Sequence, residues 1–99
     1  MARYDIYNAV IEGGYLLDVQ SDLLEGLNTR VVVPLLPAQL APKPGERLNP
    51  EFEIDGSRYV MVTQFLSSVP LSALKSPVDN LSVHHDEIVS AIDMLTQGF

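Results

Sequence analysis

Glu51-Phe52-Glu53-Ile54-Asp55-Gly56-Ser57-Arg58-Tyr59-Val60-Met61-Val62-Thr63 is two alternating runs joined by Asp-Gly. Asp-Gly accepts φ > 0 at both central positions of a type I′ turn, and alternation of apolar and polar residues marks a half-buried strand, so the stretch predicts a β-hairpin. A two-residue loop leaves one register: Ile54 faces Ser57, Glu53 faces Arg58 and Phe52 faces Tyr59. The charged pair and the aromatic pair across it are each expected to contribute about 0.2–1 kcal/mol.

Upstream, the chain keeps the period of two. Tyr4 and Ile6 fall on one face of a short strand, with Arg3 and Asp5 on the other. Gly13-Gly14 breaks the chain, and Tyr15, Leu17 and Val19 then share a face of a second strand. Gln20 to Leu24 is expected to end that strand in a turn, and Gly26 and Asn28 extend the irregular stretch. Arg30-Val31-Val32-Val33-Pro34-Leu35-Leu36 is β-branched and apolar and predicts a buried strand; Pro34 has no N–H, so the strand is expected to be bulged or an edge there. Five of the seven prolines lie between Pro34 and Pro50, and the segment from Pro37 to Pro50 reads as a loop or exposed arm.

Downstream, Ser67-Ser68-Val69-Pro70-Leu71 and Ser76-Pro77 read as a short connection. Leu81-Ser82 opens a helix, with Ser82 as expected N-cap and Asp86 and Glu87 beside the positive end of the dipole. Ile88, Ala91, Ile92 and Leu95 form one buried stripe at helical spacing. Val89 and Met94 lie off it and suggest a second covered face, against another subunit. Gly98 is placed as the helix stop. After it comes Phe99, which folds back on the core, lies at a subunit boundary or is presented to a partner.

The 99 residues suit one domain spanning 1–99, and 46% hydrophobic with 19% charged residues is a globular composition. No apolar run approaches the roughly 20 residues that cross a bilayer. The absence of cysteine excludes disulfides and thiolate chemistry. With no apolar leader segment at the N-terminus, the expectation is a cytoplasmic protein that does not engage membranes. Six basic residues against 13 acidic give a net charge of −7. The cations (Arg3, Arg30, Lys43, Arg47, Arg58, Lys75) are scattered, which argues against direct nucleic-acid binding by the chain alone. The acidity suits either a basic partner segment or simple solubility.

No active site is expected. His84 and His85 are the only histidines, and neighbours on a helix point about 100° apart, so they are read as solvated side chains of a first turn and not as metal ligands. No nucleophile elbow or glycine-rich phosphate loop is present. The predictions are therefore no catalytic residues, no metal, no cofactor and no enzymatic activity.

Several blocks resemble the CcdB family of toxin–antitoxin toxins: Asp18-Val19-Gln20-Ser21-Asp22-Leu23-Leu24, Arg30-Val31-Val32-Val33-Pro34-Leu35, Ser68-Val69-Pro70, Leu81-Ser82, Ala91-Ile92 and Gly98-Phe99. The resemblance runs in order over essentially the whole chain. It implies a mainly β fold, a small five-stranded SH3-like antiparallel barrel or sheet with a β wing and a C-terminal helix. It implies a homodimer with the helices near the two-fold axis. It implies a poison that binds the DNA gyrase A subunit and traps the gyrase–cleaved DNA complex. A CcdA-like antitoxin would neutralise it, folding a disordered arm onto the toxin and autoregulating transcription with it.

The gyrase-binding residues carried over are Leu23, Leu24, Asp93, Gln97, Gly98 and Phe99. Two depart from the family pattern. Well-known members end Trp-Gly-Ile where this chain ends Gln97-Gly98-Phe99, and Asp93 stands where they carry Asn. Loss of the indole removes a contribution of about 1–2 kcal/mol. The antitoxin contact is expected on the loop from Asn8 to Gly14 and on the proline-rich loop 41–50, with Asn8, Glu12, Asp18 and Glu46 as the residues that meet a basic arm. Two other functions stay open: a non-toxic member that only binds an antitoxin, motivated by Gln97, and a ribonuclease toxin of related fold, which the scattered cations disfavour.

Overall fold

The computed structural model of the protein describes residues 2–9, 13–42 and 45–98. The decisive hairpin forms as β4 (Glu51–Ile54) and β5 (Ser57–Met61), with Ile54 opposite Ser57, Glu53 opposite Arg58 and Phe52 opposite Tyr59. Asp55 at φ 52° and Gly56 at φ 81° supply the two positive angles of the turn. The partners of the facing side chains differ from expectation. Arg58 reaches diagonally across the hairpin to Glu51 at 2.7 Å instead of straight across to Glu53. Tyr59 packs edge-on against Tyr15, and Phe52 leans on His84 with ring centroids 4.7 Å apart.

Among the described residues, seven antiparallel strands make one curled, half-barrel sheet. The remaining strands are β1 (Asp5–Asn8), β2 (Tyr15–Asp18), β3 (Thr29–Pro37), β6 (Ser67–Pro70) and β7 (Asp79–Asn80). Their order is β4-β5-β3-β2-β1-β7, with β6 also paired to β3. The mainly β architecture expected from sequence is thus present, with the β4–β5 hairpin hydrogen-bonded into the sheet through β3.

The nine-residue β3 is central and resolves the proline problem. One edge pairs with β2; the other serves β6 along Thr29–Val32 and β5 along Leu35–Pro37. Pro34 lies at the handover: its carbonyl accepts from Val62 N at 3.0 Å, and its missing N–H falls between the two partners. The Ser67–Pro70 segment, read as a connection, is thus a strand; β3 offers it a free edge, although its own sequence lacks alternation.

Alternation sorts the side chains onto two faces. Ile6, Leu17, Val33, Leu35 and Met61 point into the main core, where Ile88 and Ala91 of α1 (His85–Thr96) cover them. Full burial of each large aliphatic stabilises by about 1.5–3 kcal/mol. Tyr7, Val32 and Leu74 form a smaller cluster. Tyr4 joins the main core but precedes β1, at φ 74°, an unusual angle for a bulky residue. Its N–H bonds to Asp18 O, and its hydroxyl to His85 Nδ1.

Two helix expectations change. A 3-10 turn (Ser82–His84) precedes α1, so Ser82 does not cap it: Asn80 Oδ1 accepts from Ser82 N at 2.8 Å and sets the earlier start. The histidines are not merely solvated, since His85 bonds Tyr4 and His84 stacks on Phe52 beside Glu87. The stripe is buried at Ile88 and Ala91, then opens to partial exposure at Ile92 and to exposure at Leu95; Met94, off the stripe, is exposed too.

The proline-rich segment is not a free arm where it is described. Ala38 N bonds Arg58 O, Gly45 N bonds Asn49 Oδ1, and the buried Asn49 amide donates to Met61 O at 3.0 Å and to Gln64 Oε1 at 2.8 Å. Arg47 Nε donates to Ser90 Oγ at 2.6 Å, tying the loop to the helix.

Candidate functional site

Where β2 ends, Asp18 and Arg30 face each other across the sheet. Arg30 Nε and Nη2 donate to the two Asp18 oxygens at 2.7 and 2.9 Å, and neither side chain exceeds 1% exposure. Hydrogen bonding to Asp18 raises the Arg30 pKa above its ordinary value, against the opposing cost of burial. This corrects the role expected of Asp18: both its oxygens are engaged and none of its surface is open to a basic arm. Its partner is Arg30, the cation near the start of the apolar strand β3.

The chain then makes a 3-10 turn (Asp22–Leu24) with Ser21 as N-cap, its Oγ accepting from Leu23 N at 3.2 Å. The turn is tied on both sides. Asp22 Oδ1 accepts from Arg3 N at 2.9 Å, and Gln20 Nε2 donates to Leu24 O at 3.1 Å. Held this way, the turn turns its apolar side chains outward: Leu23 is 94% exposed and Leu24 49%. Leu27, also about half exposed, follows on the same irregular stretch. A leucine this open on an ordered turn gains nothing for folding; contiguous exposed apolar surface of this kind marks interaction sites.

The second candidate element is the end of α1. Gly98 adopts φ 81°, and its N–H bonds to Asp93 O at 3.1 Å and Met94 O at 3.2 Å. This left-handed stop ends the helix as expected. Gln97 and Gly98 are exposed, Asp93 is half-buried, and Gln97 Nε2 lies 3.4 Å from Asp93 Oδ1. Phe99 lies outside the described residues. The leucine turn is moored near the start of α1, through Arg3 and Tyr4, whereas Gly98 is at the other end, about 20 Å of helix rise away. Among the described residues, the expected gyrase-binding positions thus fall in two patches, Leu23 and Leu24 in one and Asp93, Gln97 and Gly98 in the other.

Of the remaining expected residues, Asn8 is exposed at the end of β1 and Glu46 is exposed beside Arg47; Glu12 lies outside the described residues. Glu46, Arg47, Pro50, Glu87 and Ser90 line a shallow cleft of about 160 Å³ between loop and helix. A larger cleft of about 340 Å³ is lined by Tyr15, Ile54, Asp55, Val78 and Asp79. Among the described residues, no three His, Asp or Glu side chains gather where they could hold a metal ion. No described helix is long and apolar enough to cross a membrane.

A family model described as CcdB protein matches residues 3–98. The chain belongs to the CcdB family. Its mainly β, curled antiparallel sheet with one C-terminal helix agrees with the CcdB fold. CcdB membership makes it a toxin of the toxin–antitoxin kind. Sequence reasoning missed Gln20, Ser21 and Arg30 as the supports of the leucine turn. A signal was present for Arg30: a cation in a strand that is otherwise apolar has to find an anion, and Asp18 ends the neighbouring strand.

Proposed function

We propose that this CcdB-family chain acts as a homodimer that poisons DNA gyrase in the cytoplasm, by binding and without catalysis. Leu23 and Leu24 on their turn, and Asp93, Gln97, Gly98 and Phe99 at the helix end, would contact the A subunit and hold the enzyme on cleaved DNA. The observation that carries this reading is the ordered turn with Leu23 almost fully exposed, since outward leucines on a braced element are contact surface. Exposed Met94 and Leu95, with half-buried Val89 and Ile92, support dimerisation through the open side of α1. Dimerisation would place two helix ends near one axis and let a symmetric target meet both.

A CcdA-like antitoxin would neutralise the toxin through a basic arm that meets Asn8, Glu12 and Glu46, with the net charge of −7 assisting encounter. Asp18 is no longer part of that surface.

The test pairs Leu23→Asp with removal of Gly98 and Phe99. Each change should abolish growth arrest and gyrase-dependent DNA cleavage while leaving dimerisation and the melting temperature within about 3 °C, the scale of a change under 1 kcal/mol. Unaltered protein that leaves gyrase supercoiling intact yet still binds an antitoxin would replace this reading with that of an inert antitoxin-binding member.

A further inference from the structure

Gln20 is 5% exposed, and all four of its polar groups are engaged. Its backbone N–H donates to Asp18 Oδ1 at 3.0 Å, and its carbonyl accepts from Arg30 Nη2 at 3.4 Å. The side chain does something different at each end. Oε1 accepts from Val31 N at 3.1 Å, one step beyond the rung that Val19 N makes to Val31 O. The amide oxygen therefore continues the β2–β3 ladder after β2 has turned away. Nε2 donates to Leu24 O at 3.1 Å, inside the exposed turn. One side chain bridges the last rung of the sheet to the two leucines.

We propose that Gln20 is a positioning residue, whose amide orders the Leu23–Leu24 turn against the sheet so that the leucines meet their target already arranged. The inference rests on the gyrase reading for what that target is. The chemistry restricts the residue type. Glutamate keeps the acceptor for Val31 but has no donor for Leu24; lysine has donors but no acceptor; asparagine is one methylene shorter. Preorganisation of this kind acts on affinity because the turn need not be ordered at the moment of binding.

The test compares Gln20→Glu and Gln20→Met with the unaltered chain and with Leu23→Asp. Amide exchange at Glu25 and Leu27, whose N–H groups bond to Asp22 O and Leu24 O within the turn, is measured alongside affinity for purified gyrase A subunit. Glu at this position keeps the sheet rung, so core amides should retain their protection. Turn amides should exchange at least tenfold faster in both variants, and affinity should fall about tenfold. Unchanged turn protection in both variants overturns the proposal. So does unchanged affinity where Leu23→Asp abolishes binding. If the unaltered chain and Leu23→Asp both fail to bind gyrase, the gyrase reading falls, and the exchange result alone decides whether Gln20 orders the turn.

Discussion

Among the described residues, Arg30 is the largest side chain with essentially no contact with solvent, and its charge is tolerable only because Asp18 meets it in a two-pronged geometry. Removing one member strands the other in a medium that solvates charge poorly. Arg30→Met should therefore destabilise by about 3–5 kcal/mol, whereas Asp18→Leu combined with Arg30→Met should recover most of the loss. Urea unfolding of the single and double variants measures this. Recovery in the double variant would assign the cost to the orphaned carboxylate; no recovery would mean that the pair also holds Gln20 and the turn, through Gln20 N and O. The exposed pair Arg58–Glu51 has the same 2.7 Å contact but sits in water, so its loss should change stability by less than about 1 kcal/mol.

The hairpin shows which elements are legible from sequence and why. Asp55-Gly56 is a local instruction, and local instructions survive any tertiary context that does not contradict them. Two glycines isolate the backbone part of that instruction. A Cβ added at Gly26 or at Gly56 meets no atom within 4 Å, but only Gly56 has positive φ, at 81°. Gly56→Ala should destabilise by about 1–2 kcal/mol through left-handed strain alone. Gly26→Ala should be neutral or stabilising by up to about 1 kcal/mol, because it restricts only the unfolded chain. Thermal melts of the two variants side by side test it. Elements defined by distant partners were less legible. β6 exists because β3 has a free edge beside it, β7 is two residues that close onto β1, and Ser82 lies inside a 3-10 turn, so that His84 and not Ser82 stands at the N-cap position of α1. The turn itself is legible in the residues from Gln20 to Leu24, but the binding role of Leu23 and Leu24 comes only from the family resemblance, and their outward presentation depends on Gln20, Ser21 and Asp22, whose roles no periodicity reveals.

Across the whole molecule the charge is strongly negative, and three tyrosines make that charge matter at alkaline pH. Tyr4, Tyr7 and Tyr15 all have pKa values raised above the ordinary 10.0, in each case chiefly because burial disfavours the phenolate. Nearby groups add to this: Asp22 and Asp86 for Tyr4, Asp5 and Asp18 for Tyr7, and for Tyr15 the adjacent Tyr59 ahead of Asp55 and Asp79. Above about pH 10 the unfolded chain releases these protons while the folded chain retains them, so stability is complete below that pH and is lost as pH climbs through the raised values. Each phenolate formed also adds to a net charge already at −7. Tyr7 separates the contributions. Its hydroxyl has no hydrogen-bond partner among the described residues, so Tyr7→Phe should unfold at or up to about 1 kcal/mol above the unaltered chain near pH 8. Between about pH 9 and pH 12 the variant should lose less stability, having one fewer buried proton to surrender. Urea unfolding at stepped pH, with phenolate absorbance followed in parallel, checks both halves. An equal alkaline loss in the two proteins would leave Tyr7 outside the transition and assign it to Tyr4 and Tyr15.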